Sequence, residues 1–325
     1  MSQVELRNPN DVLEPEGQPE QKSVKFVKPK KKPIEIVSLC LMIFIVTIVF
    51  LYCLSLFIPV IWMLINSFKS YEDYYLYPSY SFPKHMVWSN YSYVLSKLTV
   101  TLSTSKGRIT YGVGDMLLNS VIWASVNPIL YVALTTMVAY VISKYNFRGR
   151  NFLFSLGIVV MILPIIGSMG ASMQLKKALG IYDNMFLTVL TSNVTVFSGT
   201  NFLILYAAFK SVPWAYAESV FIDGGGHFRA FVQVMLPMVF PTCMVLLVLG
   251  FIGGWNSYEI FLIWLPSYAN LAYGMYYFQQ NASLTGATVP QVLAGFVVVS
   301  IPTAILYLAS QNLIMSKFTV GGLKG

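Results

Sequence analysis

Charged residues, histidine and cysteine are scarce in this sequence. Asp, Glu, Lys and Arg make up 10% of its 325 residues, against roughly 25% in a soluble domain. The two histidines, His85 and His227, do not combine with any nearby cysteine into a metal site. The three cysteines lie singly inside apolar runs, so we predict packing residues and neither a disulfide framework nor a metal site; they are Cys40, Cys53 and Cys243.

A nucleotide-binding motif is also missing. The chain has no GxxxxGK[ST] run, the glycine-rich loop that holds nucleotide phosphates, so it does not carry its own ATPase loop. Its net charge of +8 does not indicate a nucleic-acid partner, because seven of the 21 basic residues lie before residue 33. Basic residues concentrated beside an apolar segment are a signal of membrane topology and of contact with anionic lipid.

Long apolar runs are abundant instead. Hydrophobic residues make up 56% of the chain, and apolar runs of about 18 residues or more recur, which is typical of membrane-spanning helices. The sequence predicts an all-α polytopic membrane protein with six transmembrane helices, at about 35–68, 115–143, 152–173, 185–209, 238–265 and 289–314.

Polar segments divide the chain between these helices. Residues 1–33 are predicted to be a disordered tail, because they combine low hydrophobicity with high charge. The transmembrane domain then covers 34–316, and 317–325 form a second tail. Inside the domain, 69–114 is predicted to be a long loop rich in Tyr and Trp. Its aromatic residues could line the membrane interface, the commoner case, or the loop could dock a partner protein.

The basic residues predict the orientation. Six helices place both termini on one side of the membrane. If that side is the cytoplasm, the inner segments hold 14 of the 21 Lys and Arg residues. The positive-inside rule therefore predicts cytoplasmic termini and a cytoplasmic 213–237 loop.

The 213–237 loop, PWAYAESVFIDGGGHFRAFVQVMLP, is the most polar interval in the last two thirds of the chain. Pro213 suits the start of a helix, and 215–222 can form about two helical turns. Three glycines, 224–226, break this helix, and 228–234 can form a second short helix. A helix–turn–helix of this kind cannot lie in hydrocarbon, so it is expected to meet water or a partner protein.

This loop resembles the "EAA" loop of bacterial ABC-importer permeases: Glu-Ala-Ala, three residues, Gly, nine residues, Ile, one residue, Leu-Pro. Glu218 and Gly224 occupy the Glu and Gly positions, and Leu236 and Pro237 close the pattern in register. Val234 replaces Ile. The remaining departures are Ser219 and Val220 in place of the two alanines, and Gly225 in place of the Ala usual in the carbohydrate branch.

Other segments extend the resemblance over residues 35–325. They are similar to segments of the carbohydrate-uptake, maltose-type permease subunits: AYVISKYNFRGRNFLF at 139–154, MILP at 161–164, GIYDN at 180–184, WNSY at 255–258 and GGLKG at 321–325. The resemblance implies the ABC type I importer permease fold and a subunit without enzymatic activity of its own, in the bacterial cytoplasmic membrane.

The resemblance also implies an assembly. The expected partners are a second homologous permease subunit, two copies of a cytoplasmic ATPase that binds ATP and Mg, an extracytoplasmic solute-binding protein, and membrane lipid. In this interpretation the 213–237 loop transmits closure of the ATPase to the helices. Asp223 would cap the second helix, Gly224 would allow close contact, and Arg229 could pair with Glu218 or Asp223. The predicted coupling residues are Ala217, Glu218, Ser219, Ile222, Asp223, Gly224, Gly225, His227 and Arg229.

Candidate substrate contacts are polar and aromatic residues inside apolar runs, because a sugar needs hydrogen-bonding groups and aromatic faces. Glu259 could line a path or lie at the outer interface. Asparagines within helices also join helices to each other. The candidates are Trp255, Asn256, Ser257, Tyr258 and Glu259, with Asn127 and Asn193 as secondary choices.

Three alternatives to a saccharide importer remain open at this point. A permease for peptides, amino acids or another solute would share the loop. A secondary transporter would need midplane charges in several helices, whereas here they are nearly confined to Glu259. A receptor or scaffold would give no reason for the spacing of the loop.

Overall fold

The structure is a computed structural model that describes residues 36–104, 107–163, 167–193 and 196–318. The predicted tail at 1–33, and all but the first two residues of the tail at 317–325, lie outside the described residues. Contacts divide the chain into two compact units, Met1–Leu56 and Phe57–Gly325. The described part of the first unit is the N-terminal part of helix α1, and everything below concerns the second unit.

The described residues are mostly helical, as the sequence predicts. The helices are α1 (Ile36–Ser67), α2 (Tyr71–Leu76), α3 (Ser89–Lys97), α4 (Val113–Lys144), α5 (Arg150–Ile162), α6 (Ser168–Ala178), α7 (Met185–Ser192), α8 (Thr200–Ser211), α9 (Ala215–Ile222), α10 (His227–Ala230), α11 (Leu236–Asn256), α12 (Tyr258–Ile263), α13 (Leu271–Gln280), α14 (Ala282–Thr285) and α15 (Val289–Phe318).

A small β-hairpin corrects the prediction of an all-α chain. Strands β1 (Val100–Thr104) and β2 (Gly107–Tyr111) pair antiparallel within the region predicted to be an irregular loop, 69–114. The hairpin is rich in threonine, a β-branched residue that favours strands, and the Thr101 and Thr110 hydroxyls lie 2.9 Å apart across it. The same region also contains α2 and α3. The prediction missed these short strands because it was based on long apolar runs, which they lack.

Four of the described helical segments are long and apolar enough to cross a membrane, so the count of six continuous spans is not confirmed. They are Ser38–Ser67, Val113–Lys144, His227–Asn256 and Val289–Asn312. The predicted third helix is divided into α5 and α6, and the predicted fourth into α7 and α8. Gly167 and Gly199 precede α6 and α8 with φ values of 77° and 89°, a backbone that interrupts a regular helix and that glycine adopts readily.

The predicted fifth helix begins earlier and ends earlier than expected. The chain is helical from His227 to Asn256, with one π-helical turn at Phe231–Met235. That turn ends two residues before Pro237, whose ring would clash with the Gln233 carbonyl in a regular α-helix. The loop at 213–237 therefore runs into α11 without a break, and Ser257 separates α11 from α12.

Two hydrophobic clusters hold the second unit together. The first includes Trp123, Trp255 and Phe278, and the second includes Phe202 and Phe231. Helix α11 approaches α4 closely between them. A Cβ on Gly250 would lie 2.8 Å from Pro128 Cβ, and one on Gly254 would lie 3.0 Å from Ala124 Cα. Small residues of this kind let membrane helices pack closely.

A polar contact fixes the turn before α7 to the segment after α12. Asp183 has φ of 59°; its carboxylate accepts from the Ser267 N–H at 2.9 Å and from the Ser267 hydroxyl at 2.5 Å. The Tyr111 hydroxyl donates to the Ser267 carbonyl at 2.8 Å. Burial, followed by the neighbouring Tyr268, Asp115 and Asp183, raises the pKa of Tyr111, which favours the protonated, hydrogen-donating form of this phenol.

We expect Asp183→Ala to lower the free energy of unfolding by about 2 kcal/mol, because it removes two hydrogen bonds to a charged group and places Ala in a left-handed conformation. The matched control, Ser267→Ala, removes only the hydroxyl bond and is expected to have a smaller effect. Thermal unfolding of the detergent-purified variants measures both. Equal melting temperatures for Asp183→Ala and the wild type would contradict this account.

Candidate functional site

The 213–237 loop begins with α9, a two-turn helix that ends at the three glycines. Its range, Ala215–Ile222, is the one that the sequence predicts. The Gly225 N–H donates to the Val220 carbonyl at 2.8 Å, and the Gly224 N–H donates to the Phe221 carbonyl at 3.0 Å. These two bonds form a Schellman motif, which satisfies the last carbonyls of a helix and requires a left-handed residue after it. Gly224 is that residue, with φ of 78°.

Gly225, rather than Gly224, provides the close backbone approach in this loop. A Cβ on Gly225 would lie 2.5 Å from Val220 Cγ1 and 3.1 Å from Arg229 Cδ, whereas a Cβ on Gly224 would meet no heavy atom within 4 Å. The close approach within the chain is thus made at Gly225, and the expectation that Gly224 allows close contact with a partner stays a prediction. Gly224 is required for its φ angle and Gly225 for its lack of a side chain.

Two charged residues of the loop also differ from expectation. Asp223 caps the C-terminal end of α9, with its N–H donating to the Ser219 carbonyl at 3.1 Å. Gly226 precedes α10 without a side-chain cap, so the assignment of Asp223 as the cap of the second helix is wrong. Arg229 donates from Nε to Gln233 Oε1 at 2.8 Å, one helical turn away. Its described partner is thus neither of the two carboxylates considered for it.

Most of the predicted coupling residues form one exposed surface. Apolar side chains lie among them, with Ile222 85% and Phe228 78% exposed. Ala217 is fully buried in the second hydrophobic cluster, and Gly225 is half-buried, so Ala217 anchors the loop instead of contacting a partner. A surface that mixes exposed apolar anchors with charges is typical of a protein-binding site. Its exposed predicted residues are Glu218, Ser219, Ile222, Asp223, Gly224, His227 and Arg229.

An aromatic cluster joins this loop to the end of α4. The Tyr145 ring lies 5.5 Å from Trp214 and 5.4 Å from His227, and the Phe221 ring lies 4.9 Å from His227. The Tyr145 hydroxyl is 2.9 Å from His227 Nδ1 and 3.2 Å from the Tyr140 hydroxyl. The cluster therefore packs the loop against the end of α4, one of the membrane-length helices.

Of the residues in this cluster, sequence reasoning selected only His227 and missed Tyr140, Tyr145, Trp214 and Phe221. Tyr145 lies in the 139–154 segment, which was noted only for its resemblance to the permease family. Its contact with His227 spans 82 residues of sequence, so no local pattern indicates it. Lys144, next to it, donates from Nζ to the Val212 carbonyl and adds a second connection between α4 and the start of the loop.

Trp255, predicted to contact substrate, is a core residue in this structure. It is 1% exposed, stacks on Phe251 with ring centroids 5.8 Å apart, and donates from Nε1 to the Val299 carbonyl at 3.1 Å. It therefore joins α11 to α15, and its indole is not open to a passing solute.

The neighbours of Trp255 lie at the break between α11 and α12. Asn256 and Ser257 bond back to the Ile252 and Gly254 carbonyls at 3.0 and 2.8 Å. Tyr258 stacks on Tyr276 at 4.8 Å, and Glu259 is exposed. This short polar segment leaves a carboxylate and an aromatic face accessible.

The two secondary candidates, Asn127 and Asn193, come together although 66 residues separate them. Asn193 Nδ2 donates to Asn127 Oδ1 at 3.2 Å, and the Ser192 hydroxyl donates to the same oxygen at 2.8 Å. The contact joins α4 to the end of α7. It supports the expectation that asparagines join helices in this chain, and it adds Ser192 to the group.

The fold and the loop together define a class of protein. The chain has several helices of membrane length, and two of its predicted spans are interrupted. Its exposed, glycine-containing loop is connected to a long helix. These features are those of a multi-pass membrane component of a transporter. Residues 131–319 match the family described as the binding-protein-dependent transport system inner membrane component. The chain belongs to this family and is a transport subunit without enzymatic activity of its own.

Curated relatives are permease proteins of uptake systems. The diacetylchitobiose uptake system permease protein NgcG of Streptomyces coelicolor is 29% identical over 208 residues, or 64% of this chain and 64% of the relative. The chain thus spans slightly less than two thirds of that relative. The maltodextrin transport system permease protein MalD of Streptococcus pneumoniae is 28% identical over 65% of this chain and 75% of its own length. The sulfoquinovosyl glycerol transport system permease protein SmoH of Agrobacterium fabrum is 25% identical over 82% of this chain and 88% of its own length.

A solved structure confirms the permease fold of ABC importers. A chain of a bacterial ABC transporter involved in the import of the acidic polysaccharide alginate superimposes with a TM-score of 0.67 at 18% identity, covering 87% of this chain and 99% of that chain. The complex of an alginate transporter with an alginate pentasaccharide-bound periplasmic protein gives a TM-score of 0.59 at 14% identity. At these identities the likeness shows the fold.

Proposed function

We propose that this chain is a membrane-spanning permease subunit of an ATP-driven importer that moves a saccharide or oligosaccharide into the cytoplasm. The observation that carries the proposal is the exposed 213–237 loop, in a chain of the binding-protein-dependent family. This loop contains the Schellman motif at Gly224 and Gly225, and Tyr145 connects it to α4. The saccharide is supported by the relatives, whose names specify diacetylchitobiose, maltodextrin and sulfoquinovosyl glycerol.

In this proposal the loop is the contact with a separate cytoplasmic ATPase that binds ATP and Mg. The exposed Ile222 and Phe228 side chains enter an apolar cleft of the ATPase, and Glu218, Asp223 and Arg229 contact its charged rim. ATP-driven closure of two ATPase copies then moves α9, and the Tyr145 cluster transmits that movement to α4. The loop and both termini face the cytoplasm, which agrees with the distribution of basic residues.

The remaining partners follow from the same assignment. A second homologous permease subunit completes the path, and an extracytoplasmic binding protein delivers the solute; the latter is supported by the periplasmic protein in the related alginate complex. Lipid surrounds the apolar helices. Tyr258 and Glu259, beside the break after α11, are retained as substrate-path residues, whereas Trp255 is assigned to the core.

Purification from detergent followed by mass spectrometry tests this function. We expect a second membrane subunit and an ATPase to co-purify. The reconstituted complex is then expected to hydrolyse ATP faster when its binding protein is loaded from a panel of di- and oligosaccharides than when it is offered peptides. A chain that purifies alone and transports without ATP would overturn the proposal in favour of a secondary carrier.

We expect Tyr145→Phe to weaken coupling while leaving the chain folded. The substitution keeps the ring against Trp214 but removes the hydroxyl contacts with Tyr140 and His227, each worth about 1 kcal/mol. The ratio of solute taken up to ATP hydrolysed should fall about five- to thirtyfold, the factors that correspond to about 1–2 kcal/mol for the loss of one or both contacts.

Tyr206→Phe is the matched control for that substitution. The Tyr206 ring packs on Phe154 at 4.6 Å, and in the described part of the chain no hydrogen bond of its hydroxyl is recorded. This variant should keep the wild-type ratio of uptake to hydrolysis. A wild-type ratio in Tyr145→Phe as well would show that the hydroxyl contacts do not transmit the movement.

A further inference from the structure

The Asn127 group lies near the middle of the membrane. Asn127 is the fifteenth residue of the 32-residue helix Val113–Lys144, so about 21 Å of helix precedes it and about 26 Å follows it. A hydrocarbon core is about 30 Å thick, which places Asn127 close to its midplane. The predicted partner span is interrupted at the same level, because α7 ends at Ser192 and α8 begins at Thr200.

The group offers hydrogen-bonding capacity that the described residues do not use. Asn127 Oδ1 accepts from both Ser192 and Asn193, but the Asn127 amide nitrogen has no recorded partner in the described ranges. The Ser192 hydroxyl is exposed; its single proton is shared between Asn127 Oδ1 and the Val189 carbonyl. Its lone pairs therefore remain available as acceptors. One turn earlier, Thr188 Oγ1 is buried without a hydrogen-bond partner in the described structure.

Such a group is unfavourable if it faces lipid. Polar side chains exposed to hydrocarbon cost free energy unless they are paired, and at membrane depth they usually face a protein partner or a water-filled cavity. Interrupted helices at the midplane are found where they are buried in protein or line such a cavity. Both features, unpaired polar groups and an interrupted helix, occur here at one level of the bundle. They are found at half-buried Asn127, exposed Ser192 and the end of α7.

We propose that the Asn127–Ser192–Asn193 group is a contact site for the hydroxyl groups of a saccharide in transit. The Asn127 amide, which has no partner among the described residues, donates, and the Ser192 hydroxyl and the terminal carbonyls of α7 accept, which matches hydroxyls that both donate and accept. The proposal rests on the proposed import function and deepens it, since it gives this subunit its own solute contact away from the 255–259 segment.

Thiol accessibility tests whether the site faces water. In native membranes, and in a background in which Cys40, Cys53 and Cys243 are replaced, Ser192→Cys is treated with a charged, membrane-impermeant methanethiosulfonate reagent, with and without ATP and vanadate. We expect labelling in at least one of these states. The matched control is Leu190→Cys, on the same helix and 46% exposed, whose thiol is expected to remain unlabelled in lipid.

This test is independent of the identity of the solute, so it can fail separately from the import function. Labelling of Ser192→Cys no faster than Leu190→Cys in every state would overturn the proposal. Labelling only after the chain is separated from its partner subunit would overturn it too, because the group would then be an interface between subunits.

A second variant tests solute contact itself. Asn127→Leu should reduce saccharide uptake by the reconstituted complex about tenfold, from the loss of one to two hydrogen bonds; the saccharide used is the one that stimulates the ATPase of the wild-type complex. Unchanged uptake would assign Asn127 to helix packing alone and overturn the proposal. A wild-type complex that takes up no saccharide would instead contradict the import function, and the labelling result would still stand.

Discussion

Gly225→Leu is expected to uncouple ATP hydrolysis from uptake, reducing transport at least tenfold while the chain still inserts in the membrane. Its new side chain would collide with Val220, whose Cγ1 lies 2.5 Å from the position of the first added carbon, and with Arg229 Cδ at 3.1 Å. Because the obstacle includes the Val220 carbonyl at 2.9 Å, the backbone between α9 and α10 must open and the exposed surface must change shape. Uptake and ATPase rates of the reconstituted complex measure the effect.

The neighbouring glycines are the controls for this result. Gly226 has φ of −88° and open space around its Cβ position, so Gly226→Ala should leave transport intact. Gly224→Leu should have an intermediate effect, since it meets open space but places a side chain at φ of 78°, a strain of about 1–2 kcal/mol. Wild-type uptake in Gly225→Leu at normal protein levels would rule out the proposed transmission of movement through the 213–237 loop.

Trp255→Ala is expected to destabilise the subunit by about 3–5 kcal/mol, the range for removing a large aromatic side chain from a core. The indole is 1% exposed and fills the contact between α11 and α15, where it also donates to the Val299 carbonyl. We therefore expect a melting temperature several degrees lower and less protein in the membrane. Thermal unfolding in detergent measures the change.

Two variants separate this structural role from a role in the substrate path. Trp255→Phe keeps most of the packing and loses one hydrogen bond, so its cost should be about 1 kcal/mol. Asn256→Ala removes the adjacent exposed side chain and should leave stability almost unchanged. If Trp255→Ala folded with wild-type stability yet lost uptake, the indole would belong to the path after all.

Local patterns were sufficient for the elements whose signals lie within one segment. The sequence placed α1, α4 and the start of α15 within a few residues, because long apolar runs require helices of membrane length. It also predicted α9 at its observed bounds, since a proline start and a glycine end mark both termini. These local patterns were also sufficient to predict the mostly helical class and the family.

The errors occur where a position depends on contacts or backbone geometry that form only in the folded chain. The sequence could not distinguish Gly224 from Gly225, because the difference is a contact with Val220 made only after the chain turns. It placed Trp255 on a path, whereas its partner Val299 lies on another helix. The continuous run from His227 into α11 was missed because Pro237 was taken as an end, although a π-helical turn accommodates it.

The sequence by itself determined that this chain is a helical membrane component with a glycine-hinged loop, because hydropathy, charge distribution and turn residues act over short stretches of chain. Only the tertiary structure decided which loop residues are exposed, which aromatic residue joins the loop to α4, and that Asn127 and Asn193 meet in the middle of the bundle. The physical reason is that these outcomes depend on packing between helices distant in sequence, where close contact and hydrogen bonds are selected by the whole fold and not by any local pattern.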